Sequence, residues 1–177
     1  MRRLAPSLRC CRSGSVGVEM ALVTPVILIL MFGLVDLGNY FMSEHVVVKA
    51  VRDGARYASR RGFGEYSCAS ASTDVVTKTR DITRTGTISG GTARLVGWTD
   101  PTSVTLTVRC DSSGTYSGIY KGAASGVPVV KVAAVVPYNS LFKHFGFTTA
   151  TISLTAPSEG AVMGVWFPAA FLPVRAA

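Results

Sequence analysis

Gly14 and Glu19 stand five residues apart at the point where a basic stretch gives way to an apolar one. A carboxylate entering a membrane costs several kcal/mol unless something compensates it. A cut after Gly14 would give Ser15 a cationic α-amine. The amine of one subunit could then pair with Glu19 of the next in a low dielectric, setting the register between packed helices. The plainer alternative is a Glu19 that sits at headgroup level and reaches for water. On these residues alone both readings stay open.

The four cysteines are the other groups able to do covalent chemistry. Cys10 and Cys11 lie in the basic N-terminal stretch. If that stretch is cytoplasmic, their thiols stay reduced. Cys68 and Cys110 lie beyond the apolar segment, where an oxidising compartment allows a disulfide. Pairing them closes a loop worth roughly 4 kcal/mol in the chain-entropy model. Two unrelated buried thiols are the alternative, and the disulfide is the expectation taken forward. No Cys-x-x-Cys or His pair accompanies the cysteines, so neither a metal nor any other cofactor is expected. His45 and His144 are isolated. Neither a Gly-x-Ser-x-Gly, a His-Glu-x-x-His nor a phosphate loop occurs, and the chain is read as a non-enzyme.

The element that must position Glu19 is the apolar segment. Hydrophobic residues make up 48% of the 177-residue chain, and they are concentrated: Met20 to Val35 holds no charged side chain, and Val16 to Met42 admits only Glu19 and Asp36. A helix needs about 20 apolar residues to cross about 30 Å of hydrocarbon, so the transmembrane part is placed at about residues 18–42. Pro25, inside it, removes one helical hydrogen bond and favours a kink, which a packed bundle tolerates. Asp36 marks the outer end. The net charge is +8, and Arg2, Arg3, Arg9 and Arg12 supply half of it within the first 14 residues, which contain no acid. That is the pattern that retains an N-terminus in the cytoplasm and sends the C-terminus across. No aromatic-and-basic platform for bases is evident, so nucleic acid is not an expected partner.

Four segments follow from this: a basic leader at 1–14, a long helix at 15–61, a periplasmic α+β domain at 62–160 and an apolar tail at 161–177. Beyond the span the helix turns amphipathic. Val47, Ala50, Val51, Ala55 and Ala58 form an apolar stripe, and Lys49, Arg52, Arg56 and Arg60 lie on another face. At about 1.5 Å per residue the whole helix measures about 70 Å. Thr73 to Thr85 reads as a short amphipathic helix, with Val75, Val76, Thr79 and Ile82 inward. Strands are expected at Ala93–Trp98, Ser103–Cys110, Val127–Tyr138 and Thr149–Ala156, with a short helix at Asn139–Phe145. The fold class is α+β: a long N-terminal transmembrane helix continuing into a small outer domain with an antiparallel sheet of about four strands. The tail carries Trp166, Phe167, Phe171 and Leu172 around Pro168 and Pro173, too short and proline-rich for a second span. It either packs on the domain or docks on a partner.

The run Gly14-Ser15-Val16-Gly17-Val18-Glu19 resembles the type IV prepilin signature, Gly-x-x-x-x-Glu opening a hydrophobic helix. The longer pattern is Val18-Glu19-Met20-Ala21-Leu22-Val23-Thr24-Pro25, then Gly33-Leu34-Val35-Asp36-Leu37-Gly38, then Ala50 to Ala58. It resembles the TadE-like family, the TadE/TadF minor pseudopilins of the tight-adherence (Flp) type IV pilus system. The resemblance covers about Gly14 to Ser59. Met20 stands where the family often has Phe. The resemblance implies cleavage after Gly14 by a prepilin peptidase and a role for Glu19 in recognition and subunit packing. It also implies an inner-membrane location, single-pass, with the C-terminus periplasmic and other pilins and pseudopilins as partners. The implied function is pilus biogenesis, adherence and biofilm formation, with a place in the pilus itself compatible. The competing reading is an uncleaved signal-anchored envelope protein whose outer domain binds a ligand or partner.

Overall fold

The computed structural model describes residues 13–112, 114–121, 126–140, 142 and 152–164. The chain divides into two units, Met1–Asn39 and Tyr40–Ala177. Helix α1, Ser13–Ser59, passes from the first into the second.

In the first unit α1 is apolar all round, as a helix surrounded by hydrocarbon must be. Its large side chains are exposed, among them Leu22, Ile29 and Leu34 at 70%, 69% and 69%. Pro25 lies inside the helix without ending it. One residue earlier, the Thr24 hydroxyl donates to the Met20 carbonyl at 2.6 Å. That satisfies the hydroxyl within the helix, as an apolar surrounding requires.

The second unit is α+β. Its elements after α1 are α2 (Thr73–Thr85), β1 (Val104–Asp111), β2 (Val127–Pro137) and β3 (Ser153–Ala161), with 3-10 turns at Phe63–Glu65, Pro101–Ser103 and Gly118–Tyr120. The sheet order is β1-β2-β3, antiparallel throughout. Val104 faces Ala134, and Ala134 in turn faces Ala156. Alternation sorts the side chains: Val104, Val108, Val130, Val132, Ala134, Val136, Leu154 and Ala156 are buried, while Thr105, Thr107, Arg109, Lys131, Thr155 and Glu159 lie on the solvent side.

The buried face packs on the stripe expected from α1. Val47, Ala50, Val51 and Ala55 join Trp98 and the sheet residues in one cluster, and Ala58 joins Phe63, Val108, Val130 and Val162 in a second. Each fully buried valine contributes about 1.5–3 kcal/mol of transfer free energy. Helix α2 starts on Ser72, whose Oγ accepts from Val75 N, and ends at Gly86, whose N–H donates to Ile82 O at 2.9 Å. Its buried row is Val75, Thr79 and Thr83, with Val76 and Ile82 half-buried at its flanks. Gly54 explains that row. A Cβ there would lie 2.0 Å from Thr83 Oγ1, so the glycine lets α2 come against α1.

Three expectations need correction. The sheet has three strands among the described residues, and Ala93–Trp98 is not one of them. Gly90, Gly91 and Gly97 adopt φ of 70°, 89° and 88°, so the segment is a coiled loop. The turn at Gly97 leaves Val96 83% exposed and sends Trp98 into the core at 1%. The Trp98 indole N–H donates to Ser103 Oγ at 2.7 Å. The final strand, Ser153–Ala161, runs on past the expected end at Ala156, because its pairing with β2 extends from Ser153 opposite Pro137 to Ala161 opposite Val129, while residues 149–151 of that expectation lie outside the described residues. Finally, α1 ends at Ser59, and Arg60 and Arg61 complete tight turns onto Tyr57 O and Ala58 O.

The short helix expected at Asn139–Phe145 lies largely outside the described residues, as do Trp166, Phe167, Phe171 and Leu172. The start of the tail is described. Val162 is buried and donates its N–H to Pro128 O at 2.9 Å, while Met163 N donates to Ser59 O at 2.7 Å.

Candidate functional site

The residues singled out from sequence fall in the two units. Gly14, Ser15, Glu19 and Pro25 all lie on α1 in the first unit. Glu19 is exposed, between Val18 and Met20, which are exposed at 62% and 64%. The helix begins at Ser13, so the Gly14–Ser15 bond lies in its first turn and Glu19 follows about one turn later. A window of α1 reaches a mean hydropathy of 2.4 with none of it buried. By length and composition this is a candidate single-pass membrane anchor. So large an exposed apolar surface needs lipid or a partner helix to cover it.

Cys68 and Cys110 lie in the second unit with their sulfurs 2.09 Å apart, in disulfide geometry. Local structure brings them together. The 3-10 turn at Phe63–Glu65 and the bridge between Tyr66 and Ala71 fold the segment after α1, and Cys110 stands at the end of β1 opposite Pro128. Next to it Gly126 enters β2 at φ +90°, where a Cβ would lie 2.5 Å from Asp111 O. The Tyr66 hydroxyl donates to Ala58 O at the end of α1, and burial, first of all, pushes the phenol above its ordinary range. The disulfide thus ties the segment that follows α1 to the sheet. Among the described residues there is no group of three or more His, Cys, Asp or Glu side chains placed to hold a metal.

One feature of the second unit is legible in the sequence only in part. The exposed arginine row borders an open groove of about 320 Å³ lined by Asp53, Arg56, Tyr57, Arg60 and Arg61. Asp53 accepts from Arg94 at 2.9 Å. Arg61 donates twice to Glu65, at 3.2 and 2.9 Å, and lies 5.6 Å from the Tyr57 ring centroid. The Glu65 hydrogen bond is the main cause that raises the Arg61 pKa above its ordinary value. Helical spacing sets Asp53, Arg56, Tyr57 and Arg60 at i, i+3, i+4 and i+7, a signal that could have grouped them. It does not reveal Arg94, which holds Asp53 from a distant loop.

No curated protein and no solved structure matches the chain. A family model does match, over residues 14–56, and its description is TadE-like protein. The match opens on Gly14, spans Glu19, Pro25 and Asp36, and closes on Arg56 within the packed half of α1. Residues 14–56, which hold the exposed apolar helix and most of the stripe beneath the sheet, are therefore the segment in which the chain is similar to the TadE-like family.

Proposed function

We propose that this protein is a minor pseudopilin of a tight-adherence (Flp-type) pilus system, cut after Gly14 by a prepilin peptidase and then held in the inner membrane by α1. The observation that carries the reading is the TadE-like match beginning at Gly14, with Glu19 at the head of an exposed apolar helix. In this reading the new amine of Ser15 pairs with Glu19 of a neighbouring subunit, because two opposite charges in a low dielectric stabilise each other where either alone is costly. Pro25 shapes the packing of α1 against other pilin helices. Arg2, Arg3, Arg9 and Arg12 keep the leader cytoplasmic, which places the disulfide-bonded unit in the periplasm. The protein supports pilus biogenesis, and through it adherence and biofilm growth. It performs no chemistry itself and is the substrate of the peptidase.

The test is the N-terminal sequence and intact mass of the protein from native membranes, with and without the prepilin peptidase. A mature start at Ser15 that requires the peptidase is the expected result. A start at Met1 in both strains would replace this reading with a permanent signal anchor whose function resides in the outer unit.

A further inference from the structure

The groove beside the end of α1 has neutralised walls and an unneutralised rim. Asp53 is held by Arg94 and Arg61 by Glu65, so the two ion pairs that shape the groove are internally satisfied. Arg56 and Arg60 are exposed and make no ion pair among the described residues. Arg56 lies in the last turn of α1 and Arg60 in the tight turn that follows it, and both line the groove. Tyr57, stacked under the Arg61 guanidinium, supplies an aromatic surface between them and the locked pair.

We propose that this groove docks an acidic helix of a different protein, one with two carboxylates a single turn apart. Guanidinium groups recognise carboxylates through planar, paired hydrogen bonds. A partner helix with acids at i and i+4 presents two carboxylates on one face to the two guanidinium groups that line the groove. The Asp53 carboxylate beside them suits a peptide, which carries donors as well as acids, better than a bare phosphate. A second copy of this chain is a poor occupant: residues 40–177 carry 14 basic and 8 acidic side chains, a net +6, so two such faces repel. The inference stands on the second unit alone and does not depend on cleavage after Gly14.

The test uses the full chain in phosphatidylcholine nanodiscs and a fluorescein-labelled alanine-based helical peptide with two Glu residues at i and i+4. Binding is read by anisotropy. Arg56→Gln with Arg60→Gln is expected to weaken binding about tenfold, the sum of two exposed ion pairs. Both side chains are exposed, so the thermal midpoint should not move. Arg56→Glu with Arg60→Glu is expected to reverse the preference, toward the same peptide with Lys in place of Glu. Equal peptide binding by the wild type and the glutamine variant would overturn the proposal, as would failure of the charge swap to reverse the preference. A third result would overturn it in favour of a lipid surface: the substitutions leave peptide binding unchanged but abolish binding to phosphatidylglycerol vesicles. The N-terminal sequence of the same preparation reports the processing reading separately.

Discussion

Gly54→Ala should destabilise the outer unit although alanine is the better helix former. The substitution gains about 1 kcal/mol of helix propensity. Against this, the new Cβ would lie 2.0 Å from Thr83 Oγ1 and 3.6 Å from Thr79 Cγ2. Van der Waals contact needs roughly 3.5 Å, so α2 or the Thr83 side chain must shift by more than an ångström. Thr83 is fully buried, and its hydroxyl donates to Thr79 O at 2.7 Å. Overpacking at such a site costs about 1–3 kcal/mol, and stranding the hydroxyl adds about 1–3 kcal/mol. The net expectation is a loss of about 1–5 kcal/mol, roughly 3–20 °C in the midpoint of a unit this size. Thermal unfolding of the full chain in detergent micelles, followed through the buried Trp98, measures it. Thr83→Ala removes the atom nearest the new methyl, so the double variant should recover at least about 1 kcal/mol relative to additivity. A Gly54→Ala protein that is more stable than wild type, or a double variant that is simply additive, would refute the close approach of α1 and α2.

Four further outcomes are expected. Glu19→Val should leave the protein in the membrane and impair piliation; normal piliation would end the pairing role. Replacing Cys68 and Cys110 by serine should lower stability by about 4 kcal/mol in the chain-entropy model, and the unreduced wild type should resist thiol labelling at both positions. Trp98→Ala should cost about 3–5 kcal/mol, measured by denaturant unfolding, whereas a surface indole would lose almost nothing. Hydrogen bonds from Arg109 and then Lys131 hold the Glu159 carboxyl below its ordinary value of 4.5. Its folded-state pKa is therefore depressed, so the stabilisation is present above the unfolded value and is lost as pH falls through the folded one. Glu159→Gln should lower the neutral plateau slightly and flatten the acid decline below about pH 4.5. A decline as steep in the variant would show that Glu159 contributes none of it.

Elements set by local periodicity are legible in the sequence itself. Val47, Ala50, Val51, Ala55 and Ala58 repeat at helical spacing, and each is buried. The bounds of α2 follow from Ser72 as its cap and Gly86 as its stop. Alternation in Val104, Leu106 and Val108 marks β1. The departures share a different cause. Ala93–Trp98 has strand-like residues, but Gly97 within it and Gly90 and Gly91 before it coil the segment. Trp98 is buried through a loop, and loop burial has no period to detect. Gly54 is missing from the apolar stripe because a glycine has no side chain to count, yet α2 comes so close there that a Cβ would meet Thr83 Oγ1. β3 runs on past Ala156 because its register depends on partners as far back in the chain as Val129. For Gly14 and Glu19 the family pattern is legible, since it depends on spacing along one helix.

The hydrogen bond from Met163 N to Ser59 O has a consequence for the timing of folding. It joins the end of α1, among the earliest parts of the unit to be synthesised, to residues that follow β3, and Val162 fills the core beside it. Until β3 has emerged, β2 presents an unpaired edge and Val132, Ala134 and Val136 lack the cover of Leu154 and Ala156. Such long-range pairing is slow and leaves strand edges open to aggregation and proteolysis. The nascent chain therefore passes through a vulnerable interval that ends only when β3 arrives. A truncation before Ser153 should extend that interval indefinitely and deliver the protein to quality-control proteases.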